Sequence, residues 1–292
     1  MKNTVNDEMS AQKLQHDHFD LMLRRQGWLL IRHKPIDTDP NVIRVSQIKQ
    51  VNHHSTLPKL RQNSPHCNGV FYEAFGDNTF RKLLRYIFFH KSGTTEELKR
   101  ICNSEPKLEK HLQFMLEHKL IIQQGCCWQK GPAYVTIDNI GPTLEWYVAQ
   151  WFRSWLEVPA RHGVAIKDVA DGGDLDVVAF VDGIRVMVEC KSGSPAKITE
   201  NDIRLFLRRA DEFNPEMAIL LIDTDGRIDP VIDMANRLQT SDDPFTPQDT
   251  HDSLYWGVRH IYIMNTRSGI PDALSAALRL YYSKIRHMAF GR

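Results

Sequence analysis

Apolar and polar positions alternate most cleanly over residues 172–193, GGDLDVVAFVDGIRVMVECKSG. Two β-branched runs flank Asp182-Gly183. Both residues of a two-residue hairpin loop must tolerate positive φ, and Asp-Gly does so. With that loop Val181 pairs with Ile184, Phe180 with Arg185 and Val178 with Met187, which sets Asp176 opposite Glu189. Side chains alternate faces along a strand. Val177, Ala179, Val181, Ile184, Val186 and Val188 therefore share a face that reads as core, while Asp176, Glu189 and Lys191 project from the other. A one-residue slip of register would undo that coincidence.

The flanking pattern predicts alternating helices and strands. In residues 141–157, GPTLEWYVAQWFRSWLE, the positions Leu144, Tyr147, Val148, Trp151, Phe152 and Trp155 follow a helical period, with Glu145 in the first turn. Residues 162–168 fit a strand before the hairpin. After it, Thr199 and Asp202 stand at capping-box spacing and open a helix carrying Ile203, Leu205, Phe206 and Leu207. Arg204 and Arg208 share one face of that helix, and Arg209 reads as solvated. The unbroken apolar run 217–223, MAILLID, predicts a buried strand closed by the turn DTDG. Residues 260–266 predict another strand, and Pro271 to Met288 a closing helix.

Residues 78–140 form a different unit. A first helix carries Phe80, Leu83, Leu84, Ile87 and Phe88 and stops at Gly93. Thr94 and Glu97 cap a second helix, and a third runs from Glu105 with Pro106 in its first turn. Two strand-like runs follow around Gly125–Gly131. This is the order of a winged helix, whose third helix would enter a major groove. Lys107, Lys110, His111 and Lys130 are then the candidate nucleic-acid contacts, and use of the unit for protein contacts stands beside that reading. Residues 1–77 have no assignable fold, and 51–69 read as a linker.

Composition adds two constraints. The chain has 292 residues, 42% of them hydrophobic, with a net charge of +1. That is enough for about two domains. Residues 1–140 hold 20 Lys/Arg against 14 acids, and residues 141–292 hold 17 against 22. The half with the facing acids would bind an anionic polymer poorly alone, and the basic excess lies in the other half. No apolar run approaches a membrane span. The five cysteines include no CxxC spacing and read as reduced thiols of a cytoplasmic protein.

Two carboxylates facing each other across a ladder repel. A shared proton, the Lys191 ammonium or a divalent cation would each offset the repulsion. Hard cations such as Mg²⁺ prefer carboxylate oxygens. The run resembles the PD-(D/E)XK nuclease superfamily, the restriction-endonuclease-like fold. Within it the run is similar to the Mrr-like branch, which carries a Gly-Gly-Asp-x-Asp stretch and a (Glu/Gln)-Cys-Lys triplet. The resemblance covers roughly residues 140–270. It implies an α/β fold, a restriction-endonuclease-like α-β-β-β-α-β core of mixed sheet flanked by helices, here preceded by the winged-helix-like α+β domain. Domains of 1–77 (unassigned), 78–140 and 141–292 follow.

The resemblance also implies roles. Asp176, Glu189 and Lys191 would be catalytic. Glu145, Asp176 and Glu189 would hold one or two Mg²⁺ or Mn²⁺ ions with help from the Cys190 carbonyl, and Lys191 would position the attacking water. Arg204 or Arg208 would support the site or contact phosphate. The implied activity is metal-dependent phosphodiester hydrolysis in nucleic acid, DNA ahead of RNA: a DNA endonuclease in defence against foreign DNA. A DNA-binding regulator with an inactive nuclease fold and an RNA-processing nuclease are the alternatives. A membrane partner is not expected, and a homodimer stays open.

Overall fold

The computed structural model describes residues 18–35, 39–43, 69–167, 174–239, 243–248 and 253–290. Gly172, Gly173, Asp168 and nearly all of the linker-like stretch lie outside the described residues. In chain order the elements begin with a helix over residues 18–25 (α1), β1 (Leu30–Arg32), α2 (Gly69–Gly76), α3 (Asn78–His90), β2 (Ser92–Thr94), α4 (Thr95–Ile101), α5 (Glu105–Glu117), β3 (Ile121–Gln124) and β4 (Cys127–Lys130). They continue with α6 (Gly141–Trp155), β5 (Ala160–Ile166), β6 (Leu175–Val181), β7 (Ile184–Ser192), α7 (Glu200–Phe213), β8 (Met217–Asp223) and α8 (Asp229–Leu238). The last are β9 (Thr246–Pro247), β10 (Leu254–Trp256), β11 (Ile261–Asn265) and α9 (Ile270–Phe290).

The architecture is mixed α/β, a large mixed sheet flanked by helices. Eight strands pair in the order β1-β5-β6-β7-β8-β11-β10-β9. β5, β6 and β7 are antiparallel neighbours, whereas β7, β8 and β11 run parallel. From α6 to β8 the chain reads helix, three strands, helix, strand. Asp182 and Gly183 both hold positive φ, 49° and 85°, and the hairpin closes with Val181 opposite Ile184 and Val178 opposite Met187. The two-residue loop and its register are those the alternation predicts.

Both faces of the hairpin are buried, not one. Val177, Ala179, Val186 and Val188 join a core with Leu144 and Trp151 of α6 and Leu274 of α9. Val178, Phe180 and Met187 join a second core with Phe19 of α1 and Phe206 and Phe213 of α7. The reason is the parallel pairing of β7 with β8, which needs a crossover helix, and α7 lies over the face that otherwise reads as open.

The smaller unit comprises α3, α4 and α5 with the sheet β2-β4-β3. Asp77 caps α3, accepting from the Thr79 and Phe80 amides, and the Thr94–Glu97 capping box is complete. The first helix ends at Lys91 in a left-handed conformation, two residues before Gly93, which lies in β2. Phe71, Phe80, Leu84 and Met115 belong to the same continuous core as Trp146 and Trp151. A buried ion cluster reinforces that contact. Arg81 of α3, with no exposed side-chain surface, donates from Nε to Asp223 Oδ1 at 2.9 Å. Arg85 donates to Asp223 Oδ2, and Thr266 Oγ1 donates to Oδ1 at 3.0 Å. The helical unit is thereby fastened to the C-terminal end of β8.

Candidate active site

Asp176 and Glu189 stand next to each other at one end of the β6–β7 ladder, immediately beyond the Val177–Val188 pair. Glu189 is buried at 4% exposure, while Asp176 keeps some contact with solvent. The Cys190 amide donates to Asp176 Oδ2 at 2.7 Å. Burial pushes the Asp176 carboxyl well above its ordinary range, and the charges of Glu189 and Glu145 add to the rise. The Cys190 amide and Lys191 oppose only part of it. Asp176 therefore feels both other acids.

Glu145 is the fifth residue of α6, in its second turn and not its first. The helix dipole acts mainly within the first turn, so it does not account for this residue. Burial raises the Glu145 carboxyl, Lys34 and His162 pull it down, and Glu189 pushes it up again. Lys34 Nζ lies 3.2 Å from Glu145 Oε2. Lys34 comes from the segment after β1, a region the sequence pattern leaves unassigned.

Lys191 Nζ stands 3.1 Å from Glu189 Oε1 and 3.1 Å from Asp202 Oδ1. Burial alone would lower its pKa, but Glu189 and Asp202 outweigh burial and the value rises. Lys191 thus stays an ammonium near neutral pH, a donor and a positive charge but not a proton acceptor. Asp202 is divided between two tasks. Its Oδ2 accepts from the Thr199 amide at 2.9 Å and the Thr199 hydroxyl at 2.7 Å, closing the α7 capping box. Its Oδ1 is left for Lys191. The cap that starts α7 also orients the lysine.

The predicted contact residues fall in different settings. Arg209, read as solvated, donates from Nη1 to Glu189 Oε2 at 3.1 Å with a side chain only 13% exposed. Arg204 and Arg208 are exposed instead, and Arg208 pairs with Glu212 one turn on. The reason is the position of the buried stripe Ile203, Phe206, Ala210 and Phe213, which turns Asp202 and Arg209, seven residues apart, toward the sheet end. Lys130 is buried, because β4 alternates and Trp128 also points inward. Its Nζ donates to Val135 O at 3.2 Å and Ile137 O at 2.8 Å and pairs with Asp138 at 2.9 Å. His111 is buried against the Phe80 ring. Lys107 pairs with Asp77 at 3.0 Å, and Lys110 is exposed on α5.

Glu145, Asp176 and Glu189 form an all-oxygen, anionic donor set of the kind hard divalent cations take. The unrelieved repulsion on Asp176 fits the same charge. Each acid is meanwhile held by a protein donor: Glu145 by Lys34, Asp176 by the Cys190 amide, Glu189 by Lys191 and Arg209. Among the described residues no three His, Cys, Asp or Glu side chains already converge on one point. The residues fit Mg²⁺ or Mn²⁺ in type and charge, and coordination requires these donors to yield. Among the described residues no helix is long and apolar enough to cross a membrane.

No protein-family model matches the chain, and no curated protein matches it. Among solved structures, the crystal structure of protein VC1899 from Vibrio cholerae is similar at 14% identity and a TM-score of 0.43. That match covers 78% of this chain and 57% of VC1899, so the chain spans a little over half of that neighbour's length.

Proposed function

We propose that the chain is a Mg²⁺- or Mn²⁺-dependent nuclease with a restriction-endonuclease-like PD-(D/E)XK core of the Mrr-like kind, cutting DNA in preference to RNA. One observation carries this reading: Asp176 and Glu189 lie side by side at a strand end, with Lys191 held as an ammonium beside them and Glu145 close enough to act on Asp176. Glu145, Asp176 and Glu189 would hold the metal. When bound, the ion would lower the pKa of a water and offset charge developing on the phosphate. Lys191, fixed by Asp202, would orient the attacking water and stabilise the transition state. Arg209 would keep Glu189 in place. The α3–β4 unit, read as a winged helix, would grip the duplex through exposed residues of α5 such as Lys110.

Incubation with Mg²⁺ or Mn²⁺ and supercoiled plasmid, single-stranded DNA or RNA tests the reading. Cleavage by the wild type and its loss in Lys191→Ala are expected, because Lys191 acts on water and transition-state charge. Absence of cleavage of all three substrates would favour a second reading, a DNA-binding regulator on an inactive nuclease fold. One feature supports that second reading: every acid of the site already has a protein partner.

A further inference from the structure

We propose that Lys34 is a substrate-positioning residue of this site: it neutralises Glu145 until the metal arrives, then turns to the phosphate of the bound nucleic acid. The inference rests on the nuclease reading and extends it to a segment outside the implied motif.

The placement of Lys34 is built. β1 pairs with β5, and Arg32 reaches across to Asp174 at 2.8 Å. The Lys34 amide donates to the carbonyls of His162 and Gly163 at 3.1 and 3.2 Å. Further on, buried Asp39 lies 3.4 Å from the fully buried ring of His162. The Ile43 amide donates to Thr143 Oγ1 at 2.9 Å, on the same helix as Glu145. Gly163 completes the fit. Its φ is +54°, and a Cβ there would lie 2.4 Å from Lys34 Cδ and 2.5 Å from Cγ. Any other residue at 163 would push the lysine stem aside. β5 therefore carries a glycine where the Lys34 stem runs along the strand toward Glu145.

Charge gives this placement its role. Lys34 pairs with Glu145, while Lys191 and Arg209 both pair with Glu189. A divalent ion added to this set competes directly with Lys34 for Glu145. Once the ion holds Glu145, the Lys34 side chain, 27% exposed, has lost the carboxylate it is paired with, and of the nearby acids Asp39 still feels its charge. A phosphodiester bound at the site supplies a new anionic partner, and charge-assisted bonds of this kind are the strong ones. Metal binding and substrate binding are then coupled: each is favoured by the other, and metal alone is held back.

The two halves of the inference predict effects of opposite sign, which a merely structural lysine would not give. Lys34→Met keeps the stem that Gly163 accommodates and removes the charge. Mn²⁺ affinity without nucleic acid, followed by electron paramagnetic resonance, should tighten by about fivefold, the scale of losing one partly exposed ion pair. Affinity for a short labelled DNA duplex in Ca²⁺ should weaken by a comparable factor. Lys34→Arg should restore both. Unchanged or weaker Mn²⁺ binding in Lys34→Met, or unchanged duplex binding, overturns the proposal even if the wild type cuts DNA. A wild type that binds neither Mn²⁺ nor the duplex overturns the nuclease reading along with it. Matching circular dichroism spectra for wild type and variants exclude misfolding as the cause.

Discussion

Asp223→Asn should be among the most destabilising single substitutions in the chain. Asp223 has no exposed side-chain surface and serves three donors, Arg81, Arg85 and Thr266. Removing its charge leaves the Arg81 guanidinium, also fully buried, without a counter-ion. Arg81 keeps its bonds to the Phe75 and Gly76 carbonyls, at 2.7 and 2.8 Å, and Arg85 is partly hydrated, so the loss is not total. Breaking one partner of a buried ion pair costs about 3–5 kcal/mol. The retained bonds place the asparagine variant near the lower bound, about 3 kcal/mol out of a typical 5–15. Guanidinium unfolding followed by tryptophan fluorescence reads this directly. Arg81→Met in the same chain should recover part of the loss, giving a coupling of at least about 1 kcal/mol. Burial alone would raise the Asp223 carboxyl, but Arg81 and Arg85 outweigh burial and hold it below its ordinary value. A carboxyl lowered by folding adds stability above its unfolded pKa, and that stability drains away as pH falls through the folded value. The wild type should therefore lose, and Asp223→Asn should not lose, this increment below about pH 4. A variant within about 1 kcal/mol of wild type at neutral pH would refute the ion-cluster argument.

Three further variants probe the site and its surroundings. Asp176→Asn should stabilise the metal-free protein at neutral pH by about 1–3 kcal/mol, because it removes a crowded buried charge. A carboxyl raised by folding favours the fold while protonated, so that gain should vanish below the ordinary carboxylate value of 3.8 and shrink when Mn²⁺ is added; thermal melts at several pH values check both. Lys130→Met should cost about 2–3 kcal/mol by leaving two carbonyls without their donor, yet leave the salt dependence of the proposed DNA binding unchanged, whereas Lys110→Ala should shallow that salt slope.

The hairpin register was legible because Asp-Gly fixes the loop and alternation fixes the faces. Once Val181 faces Ile184, no freedom remains at Asp176 and Glu189. Lys130 could have been read correctly from the same rule, since Trp128 two residues earlier points inward. Arg209 was harder. The helical period of α7 contains it, but only as the i, i+7 companion of Asp202, and the face those two share becomes visible once β8 is laid beside β7. Lys34 carried no local signal. It is 111 residues from Glu145, and its one sequence trace is a glycine at 163 inside an otherwise regular strand. Burial of both hairpin faces was likewise a tertiary outcome, set by the crossover that α7 makes between β7 and β8.

The fastening of α3 to the end of β8 also sets a distance. Asp223 pairs with Ser192, the residue after Lys191, so the helical unit is anchored one step from the lysine of the site. Nothing slack lies between them: Phe80 and Leu84 of α3 share a core with Trp146 and Trp151 of α6. A nuclease of the proposed kind, assembled this way, would behave as a ruler. Wherever the helical unit settled on a duplex, the phosphate reaching Lys191 would lie at a constant offset, and the positions of cuts relative to protected bases should not spread as they would for two bodies on a tether.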